Sequence, residues 1–551
     1  MNLLNHKRVF SSVKVMHLFE ISLFLLIPIT VFGQDNIVKL HVFYTNDIQS
    51  QISPQKATFL NPEFPPSLGG GASMVSVLNH YRRTINLETE KILLFDGGDF
   101  HNPASPLGEA SKGKASVEFM NLLGYTALVP GNLDFEPGIK NLLDLAGLAR
   151  FPFLASNLAD INSKNPPKPI RSSIKIDFNG IKIGVFGITS KSAEHSIPED
   201  ETIQFLNEIE TAGETIKSLK QSGTDVIIAL THLGLPGEPD AGYKAVLEME
   251  RMKIKKAGYV NAMELAHFVS GIDLLISGKI HRGYDFPWED PVNHTICVQN
   301  YAYGGNLGLI TLLIDINSKT ITGYELPSDD GGLLLLNTEQ FWPDPEMLEK
   351  ISEIEKRYTG SLDSIIGVTR NTIYRRDGDE SPMANLMCDA MITATGADFS
   401  FNNFTGMRAD IPIGPITLKD IANVFPFGNK IVVIKMTGQL LKDIIESSVA
   451  GYYSGLAIGG GQIVIDKNRR SGDRVVEFTI NGKTIEPERN YRLATTEYLA
   501  EGNYGMDKLT FLADDHFSYT DKRVRDAVKE YVIKYTPLTI AIDGRWKILN
   551  K

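Results

Sequence analysis

A chain of 551 residues, 42% hydrophobic and 22% charged, is globular and long enough for two or three domains. Its formal charge of -11 excludes the basic surface that nucleic-acid binding requires, and otherwise serves solubility. The two cysteines, Cys297 and Cys388, fall in different halves of the chain and read as small buried residues.

The chain begins with Lys7, Arg8 and Lys14, followed by an apolar stretch from Leu18 to Phe32 and then Gly33, Gln34 and Asp35. Basic, apolar and small residues in that order predict a secretory leader, residues 1–33, cleaved near Gly33, with Met16 as an alternative start. The uncharged run from Ile21 to Phe32 is shorter than the about 20 residues a membrane-spanning helix needs. A retained anchor is the alternative reading. The expected destination is the periplasm or the medium.

Beyond the leader, residues 37–44 alternate and are β-branched, which predicts a strand. Further short strands are expected at Ile92–Phe95, Val226–Leu230 and Ile272–Ile276. Helical spacing covers roughly 71–87, 114–123, 137–148 and 207–221. Strands alternating with helices imply a layered α/β architecture. Metal-ligand residue types follow the strand ends: Asp47, Asp99, Asn132, His232 and, after Ser277-Gly278-Lys279, His281. Strand-end loops are where such a scaffold presents chemistry. A first domain over 34–325 gives way to a Pro/Gly/Asp-rich boundary, 326–343. A linker and hinge helix follows within 326–359, with Met347, Leu348, Ile351 and Ile354 on one face. A second α/β (α+β) domain is expected over 360–551.

Thr45-Asn46-Asp47, Gly97-Gly98-Asp99, Gly131-Asn132 and Thr231-His232-Leu233-Gly234 occur in that order. After them come Glu380, Asn385-Leu386, Asp389-Ala390, Asn403 to Arg408, Pro426 to Asn429, and Tyr498 to Gly502. In these motifs residues 37–551 resemble the secreted or periplasmic 5′-nucleotidase family. The resemblance implies a calcineurin-like metallophosphoesterase β-sandwich flanked by helices, then a hinge helix and a nucleotide-binding domain. It implies hydrolysis of nucleotide or related phosphoesters at one or two divalent ions (Zn, Mn or similar). Two such ions about 3.5–4 Å apart activate water and stabilise the leaving oxygen. By resemblance Asp99 bridges the metals, Asp47 and His281 serve the first, and Asn132 and His232 serve the second.

Three positions depart from the family pattern. Gln49 stands where a His ligand is usual, and an amide oxygen is a weaker donor. Leu133 replaces the His that contacts the phosphoryl group, a loss typically worth about 10²–10³ in rate. Its partner position is Glu136. Lys279 replaces a His ligand, and an ammonium repels a metal rather than binding it. It either neutralises Asp47 and Asp99 in place of a cation or points to solvent; His101 could rebuild a shell from another direction.

In the second domain, Phe427 and Tyr498 match the aromatic pair that sandwiches a base. Asn403 and Arg408 match the Asn and Arg that bind the ligand. Tyr504 occupies the position of the ribose-binding Asp. Asp377 and Asp379 replace arginines, although Arg375 and Arg376 lie just upstream. Two readings follow. One is an exported hydrolase of small-molecule nucleotides or phosphoesters with an altered metal site and no stable membrane anchor. The other is a relative without metal or catalysis that keeps the fold for binding or scaffolding.

Overall fold

The computed structural model describes residues 36–57, 66–195, 197, 202–252, 260–360, 362–376, 380–426, 428–450 and 455–549. The leader, Phe427, Asp377 and Asp379 lie outside them.

The first domain is a sandwich of two sheets. One is ordered Thr320–Glu325, Asn306–Asp315, Ile37–Thr45, Glu90–Asp96, Ala127–Leu128, with Leu333–Leu335 also pairing Asn306–Asp315. The other runs Trp288–Glu289, Ile296–Gln299, Leu274–Ser277, Val226–Thr231, Ile181–Ile188, Ser173–Phe178. Their inner faces interdigitate through Val38, Leu40, Val42, Phe95, Val185, Ile228, Leu230 and Ile276, all buried. Ile37–Thr45 pairs in parallel with Glu90–Asp96, and Val226–Thr231 in parallel with Leu274–Ser277. Parallel pairing aligns their C-terminal ends within each sheet, and the packing of the two sheets brings the loops holding Asp47, Asp99, His232 and Lys279 to one rim.

Helices cover both outer faces. Gly70–Thr84, Lys114–Leu123 and Ile139–Leu148 pack with Phe43, Leu94 and Leu128 on one side. Glu208–Gln221 and Ala262–Phe268 pack with Phe186, Ile227 and Leu275 on the other. Four of these are the helices the periodicity predicts, shifted at their ends, and Ala262–Phe268 is an addition to them. The first helix stops at Thr84 because Ile85 is already extended, and the third starts after Gly138.

The helix Pro345–Thr359, at the place expected for the linker, is capped by the Asp344 side chain. Met347, Ile351 and Ile354 bury its apolar face in the first domain's core. Tyr358 and Arg357 both reach Glu118 at 2.7 Å. The second domain has a five-stranded sheet, ordered Leu456–Gly459, Phe399–Asn403, Asn490–Thr496, Lys430–Thr437, Phe517–Arg523, and a four-stranded sheet. Helices Pro382–Thr395 and Val524–Tyr535 pack together on the five-stranded sheet. Cys297 and Cys388 are both buried free thiols. Among the described residues no helix is long and apolar enough to cross a membrane.

Candidate metal centre

Asp47, Asp99 and His232 come together at the sandwich rim, each buried, with ligand atoms within 4.8 Å of one another. The surroundings divide each carboxylate into a tethered oxygen and an open one. Asp47 Oδ2 accepts the Lys279 backbone N–H and the Asn46 amide, both at 2.8 Å. Asp99 Oδ1 accepts the Leu133 backbone N–H at 2.9 Å. Asp99 Oδ2 lies 3.3 Å from His232 Nε2. His232 Nδ1 donates to the Gly97 carbonyl at 2.7 Å, which fixes the ring and turns Nε2 toward Asp99. Asp47 Oδ1 and His232 Nε2 are buried and make no hydrogen bond.

Buried polar atoms without partners are rare and mark a missing ligand or a reactive group. Here they fit a divalent cation: two carboxylate oxygens and an imidazole nitrogen are the donors such an ion takes. The charges agree. Burial alone would depress His232, but Asp99 and Asp47 outweigh it and raise its pKa to about 9. Burial likewise raises Asp47, with Asp99 adding to the effect. The two carboxylates therefore draw in positive charge.

The loops are built for this arrangement at a conformational cost. Half of the described non-glycine residues with positive φ lie here: Asp47, Gln49, Ser50, Asp99, Lys279, His281 and Tyr303. Each such residue costs on the order of 1–3 kcal/mol and persists only where its surroundings hold it. A Cβ at Gly131 would lie 2.2 Å from Asp99 Oδ1, and one at Gly98 (φ +94) 2.6 Å from His232 Nδ1. Both glycines are therefore required by close approach.

The remaining expected residues are placed unequally. His281 Nε2 is 3.6 Å from Asp47 Oδ1 and accepts from the Gln49 amide at 2.7 Å. Gln49 turns its carbonyl to Asn102 at 3.0 Å, so it supports His281 and Asn102 rather than offering that oxygen to Asp47. Asn132 opens the short helix Asn132–Phe135 beside Asp99. Leu133 contributes its backbone N–H, not its side chain. Glu136 is within electrostatic reach of Asp99 and of Arg523, Lys430 and Glu497 in the second domain.

Lys279 takes neither of the two expected positions. Its ammonium donates to Ser190 Oγ at 2.8 Å and Ser192 Oγ at 2.6 Å. Burial lowers its pKa, while Asp99, Glu208 and Asp47 oppose that shift. It is thus an inward cation near the cluster, seated on hydroxyls. His101 is buried behind Asp99, with its pKa lowered to about 4 by burial, and lies outside the ligand cluster.

Two groups escaped sequence reasoning. Asp134 is fully buried and accepts the backbone N–H groups of Asp99, His101 and Gly131 at 2.7–3.1 Å, which locks the Asp99 loop to the Asn132 helix. Its place three residues after Gly131 is a helix N-terminal signature that could have found it. Ser190 and Ser192 carry no motif and are found only through Lys279.

In the second domain Tyr498 is 40% exposed, as a stacking ring needs. Asn403 is buried and donates to Thr405 at 2.6 Å. Arg408 is exposed, and its charge is felt at Tyr303 of the first domain. Arg375 donates to the Met407 carbonyl, beside Arg408. Tyr504 adopts φ 58 and packs on its own domain's core. Glu380 is a structural staple: it accepts Asn385 and the backbone of Asp543 and Gly544. Asp389 pairs with Arg545 at 2.8 Å.

The calcineurin-like phosphoesterase family profile matches residues 40–283, and that of the 5′-nucleotidase C-terminal domain matches residues 359–510. Protein UshA of Yersinia enterocolitica is 27% identical over 85% of this chain and 88% of its own length. The 5′-nucleotidase of Rattus norvegicus is 26% identical over 92% of this chain and 90% of its own. The crystal structure of a 5′-nucleotidase precursor from Thermus thermophilus shares the fold, with a TM-score of 0.65 at 22% identity, covering 93% of this chain and all of that one.

Proposed function

The chain belongs to the two-domain 5′-nucleotidase family, a metal-dependent one, and from that premise we propose that it is an exported hydrolase of small-molecule phosphoesters, nucleotides first among them. The observation that carries this is that two buried atoms without hydrogen bonds, Asp47 Oδ1 and His232 Nε2, fall in one cluster with Asp99. Asp47, Asp99 and His232 would hold one divalent cation, with His281 at its edge and Asn132 beside it. Such an ion lowers the pKa of a bound water and polarises a phosphoryl oxygen. Lys279 holds a positive charge near the carboxylates from its seat on Ser190 and Ser192, where the family pattern has a ligand to a second metal. The Leu133 side chain donates nothing to a phosphoryl group, so turnover is slower than a His there would give. Arg408 and Tyr498 face the ligand from the second domain.

The test is metal content after mild dialysis, together with AMP hydrolysis with and without added Mn²⁺ or Zn²⁺. One ion per chain and metal-restored hydrolysis are expected. No bound ion at any tested concentration sinks the reading.

A second reading, a non-catalytic binding protein, is favoured by Leu133 and Lys279 at positions where the family pattern has histidines. If wild type is inert while a Leu133→His, Lys279→His double variant hydrolyses AMP, the scaffold is intact and the natural chain is the non-catalytic form.

A further inference from the structure

Beside the metal cluster, on the first domain alone, lies a cavity of about 550 Å³. His281 is the wall the two share: it lines the cavity, while its Nε2 stands 3.6 Å from Asp47 Oδ1. Tyr303 joins them further. Its backbone N–H donates to the Asp47 carbonyl at 2.8 Å, and its hydroxyl lies 3.5 Å from His281 Nδ1. The rest of the lining is largely apolar, with Tyr301, Leu68, Leu333 and Leu335. Tyr301 and Tyr303 are 37% and 39% exposed, so both rings are open to a ligand. Asp285 and Asp330 line the same cavity and supply negative charge.

We propose that this cavity is a subsite for the alcohol half of the phosphoester, and that it takes a flat, neutral or cationic aromatic ring. A phosphoryl group at the Asp47–Asp99–His232 cluster would project its ester oxygen past His281, so that the next few atoms enter between Tyr301, Tyr303 and the leucines. Two tyrosines and an aliphatic wall suit a ring by stacking and burial. The volume is that of a small-molecule site and too small for a lipid tail with its headgroup. Asp285 and Asp330 disfavour a second phosphate there through like-charge repulsion. Among the described residues, none of the second domain is a wall of this subsite, although the charge of Arg408 reaches Tyr303. The subsite gives an aromatic leaving group a place to bind without that domain. The inference rests on the hydrolytic reading for its substrate and on the cavity for its selectivity.

The test uses the full mature chain loaded with Mn²⁺. The kcat/KM ratio of 4-nitrophenyl phosphate to glycerol 2-phosphate is measured in wild type, in Leu335→Trp, which fills the cavity, and in Tyr301→Ala, which strips one ring. The ratio should fall on the order of tenfold in each, mainly through KM for the aryl ester. Tyr498→Ala should leave the ratio where it was. In parallel, calorimetry compares phenylphosphonate with methylphosphonate, neither of which is hydrolysed. Phenylphosphonate should bind more tightly, and Leu335→Trp should erase the difference. If no ester is turned over but this binding pattern holds, the subsite stands and the hydrolytic reading falls. If esters are turned over with no aryl preference, or with one that only Tyr498→Ala removes, the subsite is wrong and the hydrolytic reading stands. Equal binding of the two phosphonates overturns the inference whatever the activity.

Discussion

The metal rim of the first domain and the ligand face of the second have both departed from the family pattern, but in different ways. At the rim each substitution is absorbed by new bonds. Gln49 is tied to His281 and Asn102, Lys279 to Ser190 and Ser192, and the Leu133 backbone still serves Asp99. On the second domain the substituted residue, Tyr504, packs on its own domain's core. A site that has merely decayed has no reason to keep seven left-handed residues and a partnerless carboxylate oxygen in place, because neighbours would collapse onto them. The rim therefore keeps the geometry of a cation site, and the second domain is where the contrast is to be tested.

The largest expected effects break this contrast at the rim. Asp99→Ala removes the carboxylate that both His232 and the Leu133 N–H address. It should abolish metal retention and lower AMP hydrolysis by at least the about 10²–10³ that one electrostatic group carries. Metal added at 100 times its dissociation constant should stabilise wild type by about 2.7 kcal/mol in chemical denaturation and the variant not at all. If the ligands only staple the loops, the two will respond alike. The reverse change, Leu133→His, should raise kcat by up to about 10², with metal content unchanged. No gain would mean that the His position no longer faces a phosphoryl group.

Lys279→His tests the cation's role with a count rather than a rate. A half-buried ammonium within electrostatic reach of two carboxylates opposes a second divalent ion, so its replacement should raise bound metal from one to two per chain. An unchanged count would mean that Ser190 and Ser192, rather than Lys279, shape that side of the site.

The fold and the ligand types were legible in the sequence, and the couplings between side chains were not. Asp47, Asp99 and His232 each follow a strand; parallel pairing aligns the strand ends within each sheet, and the packing of the two sheets brings the two sets to one rim. Lys279 was legible as a lost ligand but not as a bonded cation, because Ser190 and Ser192 sit in a loop nearly 90 residues away with no motif. Gln49 read as a weakened ligand. Its carbonyl is instead drawn to Asn102, a contact between two loops that depends on how the Asp99 loop turns. Glu380 and Asp389 read only as motif residues of the family resemblance. They are structural partners of residues at the far end of the chain, and no local pattern announces a pairing over more than 150 residues.

On the second domain the effects should be smaller. Tyr498→Ala removes one exposed ring. It should raise the KM for AMP by the about 1–3 kcal/mol that stacking on a base contributes, with kcat little changed. An unaltered KM would place the base elsewhere.

The smallest effect is expected where the two regions touch. Arg525, 5% exposed at the start of the helix Val524–Tyr535, donates to the Ala104 carbonyl and to Glu109 of the first domain, and Arg523 reaches the same carboxylate at 3.4 Å. Ala104 lies in the loop that follows Asp99, so this contact ties the second domain to the metal loop. Glu109 is 55% exposed at its side chain, and a carboxylate that open to water contributes about 1 kcal/mol or less to a pair. Glu109→Gln should therefore lower the denaturation midpoint only slightly, and Arg525 keeps the Ala104 carbonyl as a partner. Loss of metal affinity in Glu109→Gln, at unchanged stability, would show instead that the second domain helps to hold the Asp99 loop in its strained conformation, and the contrast between the rim and the second domain would fail.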